Sequence, residues 1–343
     1  MGPPLRAMIE IDGSEGEGGG QVLRTSLALS VVTGQPFRLF NIRAKRSNPG
    51  LQSQHLACVE AAESVSGAEV RGNKRGSSNL VFHPAGILPG NYDFDVLSAG
   101  SAGLVLQTVL VPLMFAEAAS TVSVKGGTHN PWAPPYEFLA ETFLRVLKRM
   151  GASAVLDLLR PGFYPAGGGQ LKLKVKPWEA RVALEMVDRE GSSELSAFAL
   201  LCNLDEHIGK RELDRIATAL EINGASKIRR LDALGRGNAV MITADCGDYA
   251  EVFTAFGWKG KPAEKVASEA CEEAGRWLKA GVPVGEHLAD QLLLPMALGA
   301  GGRFRTVEPS GHTRTNIETI RRFLDVAIEV EKADGVWEIR VKP

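Results

Sequence analysis

The chain has 343 residues, with 39 basic and 40 acidic side chains, six His and a formal charge of −1. Apolar residues make up 44% and charged residues 23%, a globular profile that is too apolar for a disordered chain. No run of about 18 uncharged apolar residues occurs, so no membrane span is expected, and the balanced charge excludes a broad basic face.

Four cysteines, Cys58, Cys202, Cys246 and Cys271, form no CxxC pair. That excludes a zinc finger or disulfide scaffold and fits a reducing cytoplasm. The first residues run at once into a charged, glycine-rich stretch, so no signal peptide is expected. At this length two domains are expected. The 38 glycines exceed the average share of about 7%, and their clusters mark candidate sites.

In chain order, an apolar helix over 22–32 precedes a strand at 36–42, a polar loop at 43–53 and an Ala-rich helix at 54–66 ended by Gly67. A second apolar helix over 102–116 precedes a strand at 120–124 and a loop at 125–135. Leu139, Phe143, Val146 and Met150 then recur at helical spacing in a helix at 136–150 that stops at Gly151. A third apolar helix over 288–297 precedes a strand at 303–307, a loop at 308–314 and a helix at 315–324. Helix, strand, helix recurs three times, which suggests a pseudo-symmetric α/β assembly. If the units stack alike, their strand-to-helix loops gather Arg43, Arg46, Asn48, His129, Asn130, His312, Arg314 and Asn316 on one side.

Between the second and third units lies a longer segment with its own elements. Leu213, Ile216 and Leu220 mark a helix, 239–244 a strand, and 266–280 a helix stopped by Gly281 and Pro283. The expectation is a large domain at 1–182 and 283–343 and an inserted α+β domain at 183–282. The insert holds few glycine or histidine clusters and is expected to take little part in the chemistry.

Several familiar motifs fail. Gly16-Glu-Gly-Gly-Gly-Gln21 lacks the last glycine of a dinucleotide fingerprint, and no P-loop, HExxH or GxSxG occurs. Lys332-Ala-Asp-Gly335 has the spacing around a ligase lysine, but Asp-Gly between alternating runs reads as a hairpin turn.

Four constellations survive. In Glu308-Pro-Ser-Gly-His312-Thr-Arg314-Thr-Asn-Ile-Glu318, Thr315 and Glu318 form a capping box that predicts a helix beginning at Thr315. His312 then lies just before a helix N-terminus, whose dipole favours phosphate, with Arg314 as a guanidinium fork. A neutral imidazole there is a competent nucleophile. Its bland alternative, a capping loop with a surface histidine, weighs about evenly. In Gly285-Glu-His-Leu-Ala-Asp290-Gln291, Asp290 and Gln291 open an apolar helix in which Pro295 predicts an early kink or a short first turn. In Asp12-Gly-Ser-Glu-Gly-Glu17-Gly-Gly-Gly-Gln21, glycines allow close backbone approach and Glu17 could hold a divalent ion. Gln21 and Arg24 share a helix face. A second Gly-Gly-Gly-Gln at 167–170 reads as a turn entering a strand at 171–175. The basic loop with Arg43, Lys45 and Arg46, near Gln52 and Gln54, reads as a landing site for an RNA end or as a solvated loop.

Together, in this order, these constellations resemble the RNA 3′-terminal phosphate cyclase family. Further carriers are Gly126-Gly-Thr-His-Asn-Pro131 with Ala133-Pro-Pro135, Gly162-Phe-Tyr-Pro-Ala-Gly-Gly-Gly169 and Leu288-Ala-Asp-Gln-Leu292. The resemblance spans nearly the whole chain. It implies an α/β fold: a large domain of repeated α/β units, similar to enolpyruvyl transferases, plus a small inserted α/β domain. It implies an ATP-dependent ligase that adenylylates a histidine and converts an RNA 3′-phosphate end to a 2′,3′-cyclic phosphate. By this resemblance His312 is the adenylylated residue. Gln107, His287, Leu288, Ala289, Asp290 and Gln291 bind the nucleotide, and Arg24, Arg43, Arg46 and Gln54 serve the phosphates and RNA end. Glu17 is the acid at a divalent metal, Mg or Mn. His287 departs from the aromatic of relatives, and Gly311 from a bacterial cysteine. A cytoplasmic enzyme with no membrane partner follows, with a homodimer left open. The competing readings are a non-catalytic relative in ribosome biogenesis, disfavoured by His312, and an enolpyruvyl transferase, disfavoured by the chain's length.

Overall fold

The computed structural model describes residues 7–189, 194–222, 224–333 and 335–343. The 1–6 stretch and Asp334 of the expected hairpin turn lie outside the described residues. The first unit runs β1 (Ile9–Asp12), α1 (Gly20–Thr33), β2 (Phe37–Phe40), α2 (Ser53–Ser66), β3 (Glu69–Arg71) and β4 (Leu80–His83). Its sheet is ordered β1-β2-β4-β3; the first pair is parallel and the others antiparallel. The second unit repeats this with β5 (Asn91–Asp95), α3 (Ala102–Met114), β6 (Ser120–Gly126), a π-helical segment at Phe138–Phe143 running into α4 (Leu144–Arg149), β7 (Ala154–Arg160) and β8 (Gly169–Val175). The order is β5-β6-β8-β7, again with only the first pair parallel.

The third unit opens with β9 (Leu184–Met186), and the chain then leaves its sheet. The excursion contains β10 (Glu194–Cys202), α5 (Glu206–Ala219), β11 (Ser226–Arg230), β12 (Gly237–Asp245), β13 (Ala250–Phe256) and α6 (Ala263–Ala280). These strands form their own sheet, β11-β10-β12-β13. The chain returns through α7 (Glu286–Leu298), β14 (Gly302–Thr306), α8 (Gly311–Phe323), β15 (Ala327–Ala333) and β16 (Val336–Lys342), giving the third sheet as β9-β14-β16-β15. The first residues of the expected insert at 183–282 thus pair with β14 of the third sheet. Leu184 and Met186 are buried in the parallel pair with β14, and three residues are too few to show strand periodicity.

The helices meet between the sheets. α3 is apolar on every side because it is surrounded: α1 and α2 pack on one flank and its own sheet on another. Gln107 is its one residue that is not buried, and it faces the site described below. α1 also packs on α8, so the first and last units close on each other.

Two expectations about helix starts are corrected. α8 begins at Gly311, not Thr315, because Ser310 is the cap and its hydroxyl accepts the Thr313 amide at 3.2 Å. Thr315 is buried one turn inside, where its hydroxyl accepts the Glu17 amide at 3.3 Å. α7 starts at Glu286, so Asp290 and Gln291 lie inside it, and Pro295 sits within a continuing helix. The buried neighbours Leu292, Leu293 and Met296 supply packing that offsets the missing hydrogen bond at Pro295.

The glycine run before α1 is dictated by neighbours. Gly16 has φ +56°, and a Cβ there would lie 2.4 Å from the Thr315 hydroxyl. A Cβ at Gly20 would lie 2.7 Å from His55 Nε2. Gly76 has φ +77° but open space around it. Alanine at both Gly16 and Gly76 meets the backbone cost, and only Gly16→Ala adds the clash. Gly16→Ala should therefore lower the urea midpoint more than Gly76→Ala, by about 1–3 kcal/mol of stability.

Candidate active site

A cleft of about 300 Å³ opens where the first, second and third units meet the insert. The large domain lines it with Gln21, Arg24, Gln107, Asp290, Gln291 and His312. The insert supplies Val252, Thr254 and Phe256 from β13 and Glu273 from α6. The insert is thus a wall of the cleft, contrary to the minor role its composition suggested. Apolar wall residues carry no motif, so sequence reading had no signal for them.

His312 lies in the first turn of α8, not before it. Its Nδ1 is 2.8 Å from Glu17 Oε2. A carboxylate there fixes the tautomer, with the proton on Nδ1 and the lone pair on Nε2. Burial, set against Glu17 and joined by Arg24, His287 and Arg46, holds the imidazole below its usual range. His312 is therefore neutral near pH 7, the nucleophilic form. Glu17 is itself placed from both sides: its amide donates to Thr315, and its carbonyl accepts Arg46 Nη2 at 3.1 Å.

A chain of hydrogen bonds connects the helices behind His312. Arg24 Nη2 donates to Gln21 Oε1 at 2.7 Å, and Gln21 Nε2 donates to the Thr25 hydroxyl at 3.2 Å. Thr25 donates to Asn316 Oδ1 at 2.6 Å, and Asn316 Nδ2 donates to the Asp290 carbonyl at 2.7 Å. Gln107 Nε2 reaches Gln291 Oε1 at 2.6 Å, tying α3 to α7. Asn316 lies one turn after His312 on the same helix face.

The other expected residues divide by helix face and loop. Leu288 and Ala289 are buried on the core side of α7, whereas His287, Asp290 and Gln291 face the cleft. Arg314, two residues beyond His312, projects to the opposite side, into a neighbouring cleft with Glu15 and Arg322. Arg43 is turned onto its own loop and donates to the carbonyls of Asn48 and Gly50. Gln54 Oε1 accepts the Ser101 amide at 3.3 Å. His129 is buried, stacked on Phe163 and 2.9 Å from Glu137, so it braces the second unit instead of facing the cleft. Sequence reading named no role for His55, yet its ring borders Arg24 and Gly20. Its Nδ1 accepts the Gln52 amide, and burial followed by Arg24 and Arg43 lowers it to about 3, so it stays neutral.

Two groups at the cleft have displaced titrations. His287 Nε2 donates to the Glu273 carboxylate 3.2 Å away, which raises His287 to about 9, and that ion pair joins insert to large domain. Burial lifts Asp290 to about 7, opposed by His287 and Arg24. Among the described residues, no group of three or more His, Cys, Asp or Glu could hold a metal ion, and no helix is long and apolar enough to cross a membrane.

Three repeated units, one spliced segment and a histidine braced by a glutamate beside Arg24 and Arg46 make up this cleft, as expected of an enzyme site on an α/β scaffold. Residues 15–330 match the RNA 3′-terminal phosphate cyclase family. A relative of that name from Koribacter versatilis is 48% identical over 336 residues, covering 97% of this chain and 95% of the relative. Others of that name, from Ectopseudomonas mendocina and Salmonella enteritidis PT4, are 46% and 42% identical, and cover 95% and 98% of this chain and 95% and 99% of their own. The chain belongs to the RNA 3′-terminal phosphate cyclase family.

The imidazoles give a direct check. His287 has a raised pKa, so its pairing with Glu273 contributes in full below about pH 6.5 and is lost as pH rises through about 9. In an NMR titration, His312 should lose its proton below the usual imidazole range and His287 near 9. Glu273→Gln should return His287 towards about 6.5.

Proposed function

We propose that this chain converts an RNA 3′-terminal phosphate to a 2′,3′-cyclic phosphate at the expense of ATP, through adenylylated His312. The observation that carries this reading is the His312–Glu17 contact of 2.8 Å in the cleft. It leaves Nε2 as the one ring nitrogen able to attack.

Nε2 attacks the α-phosphorus of ATP, forming an N–P bond as the bond to pyrophosphate breaks. The developing positive charge on the ring is met at Nδ1–H by the Glu17 carboxylate. Arg24 and Arg46 lower the cost of gathering phosphate charge. A 3′-phosphate oxygen then attacks the same phosphorus and frees the imidazole. The neighbouring 2′-hydroxyl attacks the activated 3′-phosphorus, and AMP leaves. This last step needs mainly proximity, since nucleophile and phosphate share a ribose. It also requires RNA, because the 2′-hydroxyl is a reactant.

Asp290, Gln291, Gln107 and His287 line the same cleft as His312, which supports their assignment to the nucleotide. A divalent ion would neutralise the leaving pyrophosphate. The donor set fits Mg or Mn: Glu17 offers its second carboxylate oxygen, beside Gly311. A single carboxylate plus phosphate oxygens is a common way to hold such an ion. A second, non-catalytic reading in RNA or protein binding is disfavoured by the same contact, which binding alone would not require.

With α-labelled ATP and Mg, the protein should acquire an acid-labile label that appears as AMP. Absence of label from wild type, or its persistence in His312→Ala, would sink the mechanism. Glu17→Gln should slow labelling by on the order of 10²-fold or more while the chain remains folded, since the tautomer and its counter-charge are both lost.

A further inference from the structure

We infer that the loops at the rim of the cleft form a stacking surface for the single-stranded RNA leading to the reacting 3′-phosphate, an inference that rests on the cyclase reading. Four large apolar side chains stand out in solvent there: Trp132 is 93% exposed, Leu97 86%, Tyr164 73% and Leu234 72%. Single exposed apolar residues are ordinary, but a group on converging loops marks an interaction surface.

The convergence is traced by contacts. His129 stacks on Phe163 at 5.0 Å, which brings Tyr164 alongside the Asn130–Trp132 turn. Asn130 Nδ2 donates to the Ala99 carbonyl at 2.7 Å, which brings in the loop bearing Leu97. Gly167 comes so near that a Cβ would lie 3.0 Å from Ala99 Cα. Leu234, from the insert, lies 3.0 Å from the Cβ position of Gly168. Three loops of the second unit and one of the insert thus meet in one patch.

Trp132 also lines the cleft that holds His312, so the patch continues the site outward. Through Trp132, the nucleotides that precede a 3′-phosphate lodged at His312 have a path over this rim. The patch suits them. Indole, phenol and leucine faces accept bases whatever their sequence. Arg160, whose Nε donates to the Gly168 carbonyl, and Arg236 flank these loops, with Asp95 and Asp232 as their exposed carboxylates. Exposed aromatic faces that continue the reacting cleft favour a strand of flat bases over a second copy of this chain.

The test is binding without ATP, by fluorescence anisotropy, of RNA carrying a 3′-phosphate. A 3′-phosphorylated octanucleotide offers several bases beyond the reacting end for the rim to stack; a 3′-phosphorylated dinucleotide offers one. Tyr164→Ala and Leu234→Ala should each weaken the octanucleotide about fivefold or more and the dinucleotide less than about twofold. Tyr164→Phe should retain affinity, and Tyr164→Ala should still label His312 with AMP at the wild-type rate. Unchanged octanucleotide affinity in the folded double variant overturns the proposal. So does light scattering that shows a dimer split by the same substitutions, which would assign the patch to a second copy. Binding as expected by a chain that never carries AMP would leave the patch standing and fail the cyclase reading instead.

Discussion

The contact between Glu17 and His312 depends on two ends of the chain arriving at one place. Glu17 sits in the turn before α1 and His312 in the first turn of α8, and the packing of these helices on each other sets their separation. Thr315, Asn316 and Thr25 tie the two helices with hydrogen bonds, and Gly16 and Gly311 remove the side chains that would hold them apart. A small displacement would leave the imidazole without its acceptor and free to choose the other tautomer. The wider scaffold can be understood as the means of holding that pair at hydrogen-bond distance.

Around the pair, charge is arranged so that the imidazole stays neutral while anions are welcome. Arg24 and Arg46 repel a proton on His312 and attract phosphate by the same field. Arg24 is itself half-buried and held by Gln21, so its position is fixed before any ligand arrives. His287 carries a second positive charge held from the insert side by Glu273. Positive charge in the cleft is thus concentrated at Arg24, Arg46 and His287, each held beside a polar or acidic partner, although the chain as a whole carries a charge of −1.

Much of the scaffold was legible in the sequence because its signals are local. Apolar helices, glycine stops and short β-rich runs needed no long-range information, so the helices and the middle strand of the first two units lie close to their expected bounds, whereas β1, β3, β4, β5 and β7 carried too little pattern to be expected. The capping box at Thr315 points to the wrong helix start because the Thr315 hydroxyl is taken by the Glu17 amide from the far end of the chain, and Ser310 caps α8 instead. Arg314 was misplaced as a result: a helix that starts earlier rotates it away from His312. Arg43 looked like a free cation, yet it satisfies its own loop. Val252, Phe256 and Glu273 were invisible as site residues because their role comes from how the insert docks, which no local pattern encodes.

The chain interrupts its third unit between β9 and α7, the same junction that in the first unit carries the glycine run 13–19 and in the second carries 96–101. On a repeated scaffold, equivalent junctions open towards the same interior. Material spliced there is delivered over the reacting groups and leaves every sheet of the large domain intact. Such a position separates two tasks that most enzymes must solve with one set of loops. The repeated units fix the chemistry, and the spliced segment sets the room above it. Exchanging that segment would re-shape the chamber while the nucleophile and its carboxylate kept their places.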